Sequence, residues 1–276
     1  MRRKIIGYAN LLKTLFEGVT FKVEDLFFLE SFQIKYLPDR VPRQEFAVLL
    51  DENPIIHRYL VAMYPPISNF IHDILIEKES VKNRKTVDEI CNAVLWEIAE
   101  LIIYNKYPEV YDAKVDFNWD IDEIISPQFL KGKVAFDVGA GPGKLAFKAA
   151  QFAKSVFAVE PVSGFRQFIR EKASRENVRN LFVVDGFLDS IPFPDDSVDV
   201  LMTSQAIGWN LKAELKEIER VLRPNAYSIH LFEYVDTDGE AEKKIHDFLT
   251  SSEWNYECTK YQGATGWKIK YSKTIS

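Results

Sequence analysis

Residues 134–143 read VAFDVGAGPG, and the helix-forming run KLAFKAAQFAK follows at 144–154. A short apolar strand that ends in Gly139-x-Gly141-x-Gly143 and feeds a helix is costly for a chain. The glycines give up side-chain packing so that the backbone can turn sharply and let something approach it closely. This unit predicts a nucleotide-type ligand at the C-terminal edge of a parallel sheet. Only Gly7 and Gly18 precede Gly132, whereas ten of the twelve glycines lie from Gly132 onward, so the two halves are built from different connections.

Downstream, short apolar runs alternate with amphipathic segments, as parallel strands with crossovers do. Seven strands are expected: 134–138, 156–159, 181–184, 198–203, 226–234, 256–261 and 267–275. The last two are separated only by QGATG at 262–266, too short for a crossover, so they form an antiparallel hairpin at one edge. The expected class is α/β: a seven-stranded, mostly parallel, doubly wound, Rossmann-like sheet with an antiparallel C-terminal hairpin, over residues 126–276. Residues 1–125 are expected to be α-helical. TVDEICNAVLWEIAELIIY (86–104) repeats apolar residues at three- and four-residue steps behind the capping box of Thr86 and Glu89. Asn53 and Pro54 read as N-cap and first helical residue, and Pro65 and Pro66 end that helix.

Composition limits the function. The 276 residues, 47% hydrophobic and 13% aromatic, can bury a full core, while the net charge of −6 opposes the basic field that nucleic-acid binding requires. Cys91 and Cys258, far apart, read as reduced packed thiols, and no metal site is expected. Neither a signal-peptide core nor a run of about 18 apolar residues occurs, so a cytoplasmic protein is expected.

Two cofactor classes use such a glycine turn. In the dinucleotide fingerprint the third glycine comes three positions after the second, where this chain has Lys144. The alternating glycines with Asp137 two residues ahead instead resemble motif I of class I S-adenosylmethionine-dependent methyltransferases, as does the seven-strand order. IPFPDDSVDVLMTSQAIGW (191–209) and ELKEIERVLRPNAYSIHLF (214–232) resemble the methyltransferase type 11 branch. One departure is visible: Pro224-Asn225-Ala226 stands where that branch has Pro-Gly-Gly. The resemblance implies S-adenosylmethionine as cofactor. It implies Asp137, Gly139, Ala140, Gly141, Pro142 and Gly143 as the turn around it, and Glu160 with Pro161 at the ribose hydroxyls. Asp185, Gly186 and Phe187 would lie at the adenine, with Ser204 and Gln205 after the fourth strand.

Methyl transfer is a direct displacement that mainly requires alignment and exclusion of water, so no catalytic base need appear. No Asp/Asn-Pro-Pro-Tyr box, attacking cysteine or magnesium-type carboxylate set follows the fourth strand. A small-molecule acceptor is therefore expected, with Trp119, Trp209, Asn210 and Tyr234 as contacts and the helical half as a lid. A donor-binding protein whose helical half engages a protein partner is the alternative, and monomer and homodimer stay open. His230 reads as a hydrogen-bonded core residue, and Arg166, Arg170 and Arg175 as a solvated face paired with Glu171 and Glu176.

Overall fold

The computed structural model describes residues 8–77, 86–234, 239–263 and 266–275. The chain divides into two compact units with the boundary between Lys114 and Val115, eleven residues ahead of the 125/126 boundary expected. In the first unit the run 86–104 is two helices, Val87–Glu97 and Ala99–Lys106, rather than one. Ile98 leaves helical geometry at φ −117°. The run is apolar nearly all round at this point: Ile98, Ala99, Leu101, Ile102 and Ile103 are all buried, so no single stripe holds one straight helix. Thr86 caps the first of these helices, its hydroxyl accepting from the Glu89 N–H at 3.2 Å. Pro54 opens the helix Pro54–Met63, but Asn53 does not cap it; its side-chain amide donates to the Leu49 carbonyl at 2.8 Å and closes the preceding helix. The stretch from Val23 forms a 3₁₀ turn, Val23–Phe28, and short helices at Ser31–Ile34 and Leu37–Arg40.

The second unit carries the sheet. Its strands are β1 (Val134–Val138), β2 (Ser155–Val159), β3 (Leu181–Val184), β4 (Val198–Ser204), β5 (Leu222–Tyr234), β6 (Glu257–Gln262) and β7 (Trp267–Thr274). Their spatial order is β3-β2-β1-β4-β5-β7-β6. The first five pair in parallel; β7 inserts antiparallel between β5 and β6. Ala264 and Thr265 of the hairpin connection lie outside the described residues. Helices α1 (Lys144–Ala150), α2 (Ser163–Arg175), α3 (Leu211–Val221) and α4 (Glu240–Leu249) supply the covering layers.

Side chains alternate along each strand, so the sheet buries both faces. Ala135, Ala158, Met202 and Leu231 join Leu145 and Ala149 of α1 and Ile169 of α2 in one core. Phe136, Val138, Leu201 and Phe232 join Leu215 and Ile218 of α3 and Leu249 of α4 in the other. β5 starts four residues earlier than expected because Pro224 and Asn225 continue the strand past a register shift beside β4. Asn225 adopts φ +64°, a left-handed conformation that asparagine tolerates better than most residues, which explains how this turn does without glycine.

His230 in mid-β5 is fully buried, with hydroxyl partners on both ring nitrogens: Thr203 at 2.9 Å on Nδ1, and Ser228 at 3.1 Å and Tyr256 at 3.3 Å on Nε2. Burial pushes its pKa down to about 3, so it is a neutral core histidine. Trp119 is also fully buried, edge-on to Tyr261 at 5.6 Å with Lys268 Nζ over its ring. It belongs to the sheet unit rather than to the helical one.

Both cores lie within the second unit, so residues 115–276 expressed alone are expected to unfold in one cooperative transition. Leu201→Ala in that fragment should cost about 2–5 kcal/mol, read from the denaturant midpoint, because it hollows the central strand of the sheet.

Candidate functional site

Parallel strands end together, so the loops after β1, β2, β3 and β4 collect at one edge of the sheet. The first loop is the glycine turn. Gly139, Gly141 and Gly143 have φ of +71°, +54° and +85°, left-handed values that favour glycine. Gly139 is fixed by close approach: a Cβ there would lie 2.5 Å from Ala206 Cβ in the loop after β4. Gly141 differs, because a Cβ built on it meets nothing within 4 Å. The backbone at Gly141 thus faces open space, whereas at Gly139 the glycine serves packing within the protein.

Asp137 does not reach into that space. Its carboxylate is buried and accepts from the Ala146 N–H at 2.9 Å, fastening α1 to β1, and burial raises its pKa to about 7 against the opposing pull of that hydrogen bond. Glu160, directly after β2, accepts from the Gly141 N–H on Oε2 at 2.8 Å and from the Val162 N–H on Oε1 at 2.9 Å. Burial raises its pKa to about 7 as well, opposed by those two N–H groups and by Arg166, and assisted by Asp137. Each carboxylate oxygen keeps a second acceptor site. Ala140 and Pro142 are buried within the turn, and the Pro161 carbonyl accepts from Arg166 at 2.5 Å.

After β3, the Asp185 side chain is largely exposed and pairs with Arg166 Nη1 at 3.1 Å. Gly186 is pressed inward, a Cβ there falling 2.6 Å from Pro192 Cδ, and Phe187 projects with 40% of its surface exposed. After β4, half-buried Ser204 leads to Gln205 at φ +55°, whose amide donates to the Glu233 carbonyl at 2.7 Å and ties the loop to the end of β5. The expected cofactor residues are therefore brought to one edge.

The expected acceptor contacts divide. Trp209 and Asn210 are exposed beside that edge, and half-buried Tyr234 stacks on Phe232 at 5.6 Å, burial raising its phenol pKa. Trp119, by contrast, is packed into the sheet core, and its indole N–H has no partner among the described residues.

The contacts of four residues escaped the sequence reading. Buried Glu214 accepts from the N–H groups of Gly208, Trp209 and Asn210 at 2.8–3.0 Å and shapes the loop before α3. Its only sequence signal is an acid in the first turn of a helix. Glu233 accepts from both the backbone and side chain of Asn118, at 3.1 and 3.0 Å. Arg166 and Arg170 are not a solvated face paired with glutamates: Arg166 bonds Asp185 and two carbonyls, and Arg170 donates to the Val183 carbonyl at 3.1 Å. Glu171 accepts instead from Gln167. Among the described residues no group of three or more His, Cys, Asp or Glu side chains is placed to hold a metal ion, and no helix is long and apolar enough to cross a membrane.

Residues 136–230 match the family model of the methyltransferase domain. A malonyl-[acyl-carrier protein] O-methyltransferase from Yersinia pestis is 28% identical over 142 residues, 48% of this chain and 51% of the relative. An uncharacterized methyltransferase from Mycobacterium bovis is 36% identical over 89 residues, 32% of this chain and 35% of that protein. The chain spans about half or less of the length of these curated relatives. Among solved structures, an S-adenosylmethionine-dependent methyltransferase from Aquifex aeolicus is similar with a TM-score of 0.45 at 15% identity, over 63% of this chain and 92% of that one. The matched stretch runs from the middle of β1 to the middle of β5 and contains the glycine turn, Glu160 and Asp185, so this part of the chain is similar to a methyltransferase domain.

Proposed function

We propose that the protein binds S-adenosylmethionine at the glycine turn and transfers its methyl group to a small-molecule acceptor. The observation that carries this reading is the open backbone at Gly141 beside the Glu160 carboxylate, within the matched domain. The donor's sulfonium supplies an activated methyl group. The chain's own part is to hold it: Glu160 accepts from the ribose hydroxyls, Asp185 faces the adenine, and the loop after β4 borders the reacting end. Gln205, Trp209, Asn210 and Tyr234 lie on that side and form the acceptor's surroundings in this reading. Incubating the protein with labelled donor and a metabolite collection, and following formation of the demethylated cofactor, tests it.

A second reading has the acceptor group carried on a protein partner. The similarity to an enzyme acting on malonyl-[acyl-carrier protein] supports it. So do the apolar side chains of Phe27, Phe28, Ile55 and Met63, exposed on the helical unit. In either reading the helical unit serves acceptor turnover. Removing residues 1–114 should leave donor binding intact and abolish turnover; full turnover by the shortened protein would reject that role.

Gly141→Val should abolish donor binding in calorimetry while keeping a cooperative thermal transition, because the added side chain occupies ligand space and not protein core. The binding should also depend on pH. Ribose hydroxyls donate to the ionised form of Glu160, whose pKa is near 7, so affinity should rise between pH 6 and pH 8 by up to about tenfold. Glu160→Gln removes that titration and should flatten the profile. The unliganded fold has the opposite sign. A carboxyl whose folded pKa is raised above its unfolded value contributes stability below the unfolded pKa, and loses it as pH rises through about 7. The thermal midpoint of Glu160→Gln relative to wild type should therefore increase from pH 5 to pH 8.

A further inference from the structure

β3 is an edge strand: it pairs only with β2, and beyond Val184 the chain leaves the sheet. A loop held from one side by a four-residue strand is poorly placed to aim a side chain, yet Asp185 opens this loop with its carboxylate 67% exposed. What aims it is α2. Arg166 itself is mostly covered, 13% exposed, and its Nη1 lies 2.9 Å from the Glu160 carbonyl, 2.5 Å from the Pro161 carbonyl and 3.1 Å from Asp185 Oδ1. One turn further along α2, Arg170 Nη2 holds the Val183 carbonyl. Gly186 presses the next residue onto Val159 and Pro192, where a Cβ would come within 2.8 and 2.6 Å. The guanidinium is thus fixed by two carbonyls that cannot titrate or rotate away, and the carboxylate is fixed by the guanidinium.

We propose that Arg166 is a positioning residue that makes the cofactor pocket selective for a purine carrying a 6-amino group. The inference rests on the donor reading above. A guanidinium only donates and a carboxylate only accepts. With Oδ1 engaged by Arg166, the acceptor capacity left on Asp185 is held in one orientation in the loop after β3. A 6-amino group donates to it. A 6-oxo group presents an acceptor to an acceptor and is rejected, since a site built around one polarity of hydrogen bond leaves the wrong partner unpaired. Releasing Asp185 from Arg166 frees the carboxylate to swing into solvent, and the oxo base is then no longer penalised.

The test is calorimetry with S-adenosyl-L-homocysteine and S-inosyl-L-homocysteine, which differ at the 6-substituent and in the proton that the 6-oxo base carries on the neighbouring N1. Wild-type protein should prefer the adenosyl compound by about tenfold or more, the equivalent of one hydrogen bond to a charged group. In Arg166→Met the preference should fall to about threefold or less, and Arg166→Lys, which keeps the charge but not the fork, should fall between. Loss of general pocket structure would weaken both ligands alike and leave the ratio unchanged, so the ratio separates aiming from scaffolding. In a cycle with Asp185→Ala, the two substitutions should be strongly non-additive in the ratio. If Arg166→Met lacks a cooperative unfolding transition, Arg166→Lys decides. Selectivity that survives in the decisive variant, or its absence from the wild type, overturns the inference alone. Failure of the wild type to bind the adenosyl compound removes the donor reading and this inference with it.

Discussion

The hydrogen bonds of one buried carboxylate hold the loops at the working edge of the sheet together. Glu160 receives the Gly141 N–H from the loop after β1 and the Val162 N–H from its own loop, so two chain segments that the sheet merely brings near each other become one surface. The Gly139 N–H already ties the start of the turn to the Val159 carbonyl at 2.8 Å, and Glu160 adds the tie at Gly141. Its effects extend outward: the Glu160 carbonyl is one of the anchors of Arg166, which in turn holds Asp185 after β3. Desolvation of this carboxylate is unfavourable, and the raised pKa records the residual cost. A group kept near the balance point between its charged and neutral forms, beside the open backbone of Gly141, is better suited to recognition than to stability.

The division of labour among the glycines follows from the same geometry. Gly139 is small because Ala206 occupies the space beside it, which couples the loop after β4 to the turn after β1. Gly141 is small and faces nothing in the protein. Within one turn, then, one glycine serves internal packing and another leaves the backbone open. The loop after β4 is itself braced twice, by Glu214 gathering three successive N–H groups and by Gln205 reaching the end of β5. The rim after β4 is therefore built from fixed backbone, with Trp209 exposed on it.

The sheet was legible in the sequence because its signals are local. Each parallel strand is a short apolar run bounded by a glycine, acid or helix start, and the five residues QGATG are too few to cross over, which forces the hairpin. Glu160 and Asp185 were legible through their positions just after strands. Arg166 and Glu214 were not, since their partners are carbonyls and amides that lie in other loops and carry no sequence pattern. Trp119 was misplaced for a similar reason: an aromatic ahead of the first strand is read as available, whereas contacts with Tyr261 and Lys268, more than 140 residues away, bury it. The break at Ile98 was hidden because a run that is apolar all round carries no phase by which to detect a change of direction.

The account stands or falls on what the open backbone at Gly141 accommodates. Titration calorimetry of the 276-residue chain with S-adenosylmethionine, and separately with NAD, measures it most directly. The account predicts saturable one-site binding of S-adenosylmethionine, with no detectable heat from NAD. Binding of NAD in its place, or of neither ligand, would contradict it.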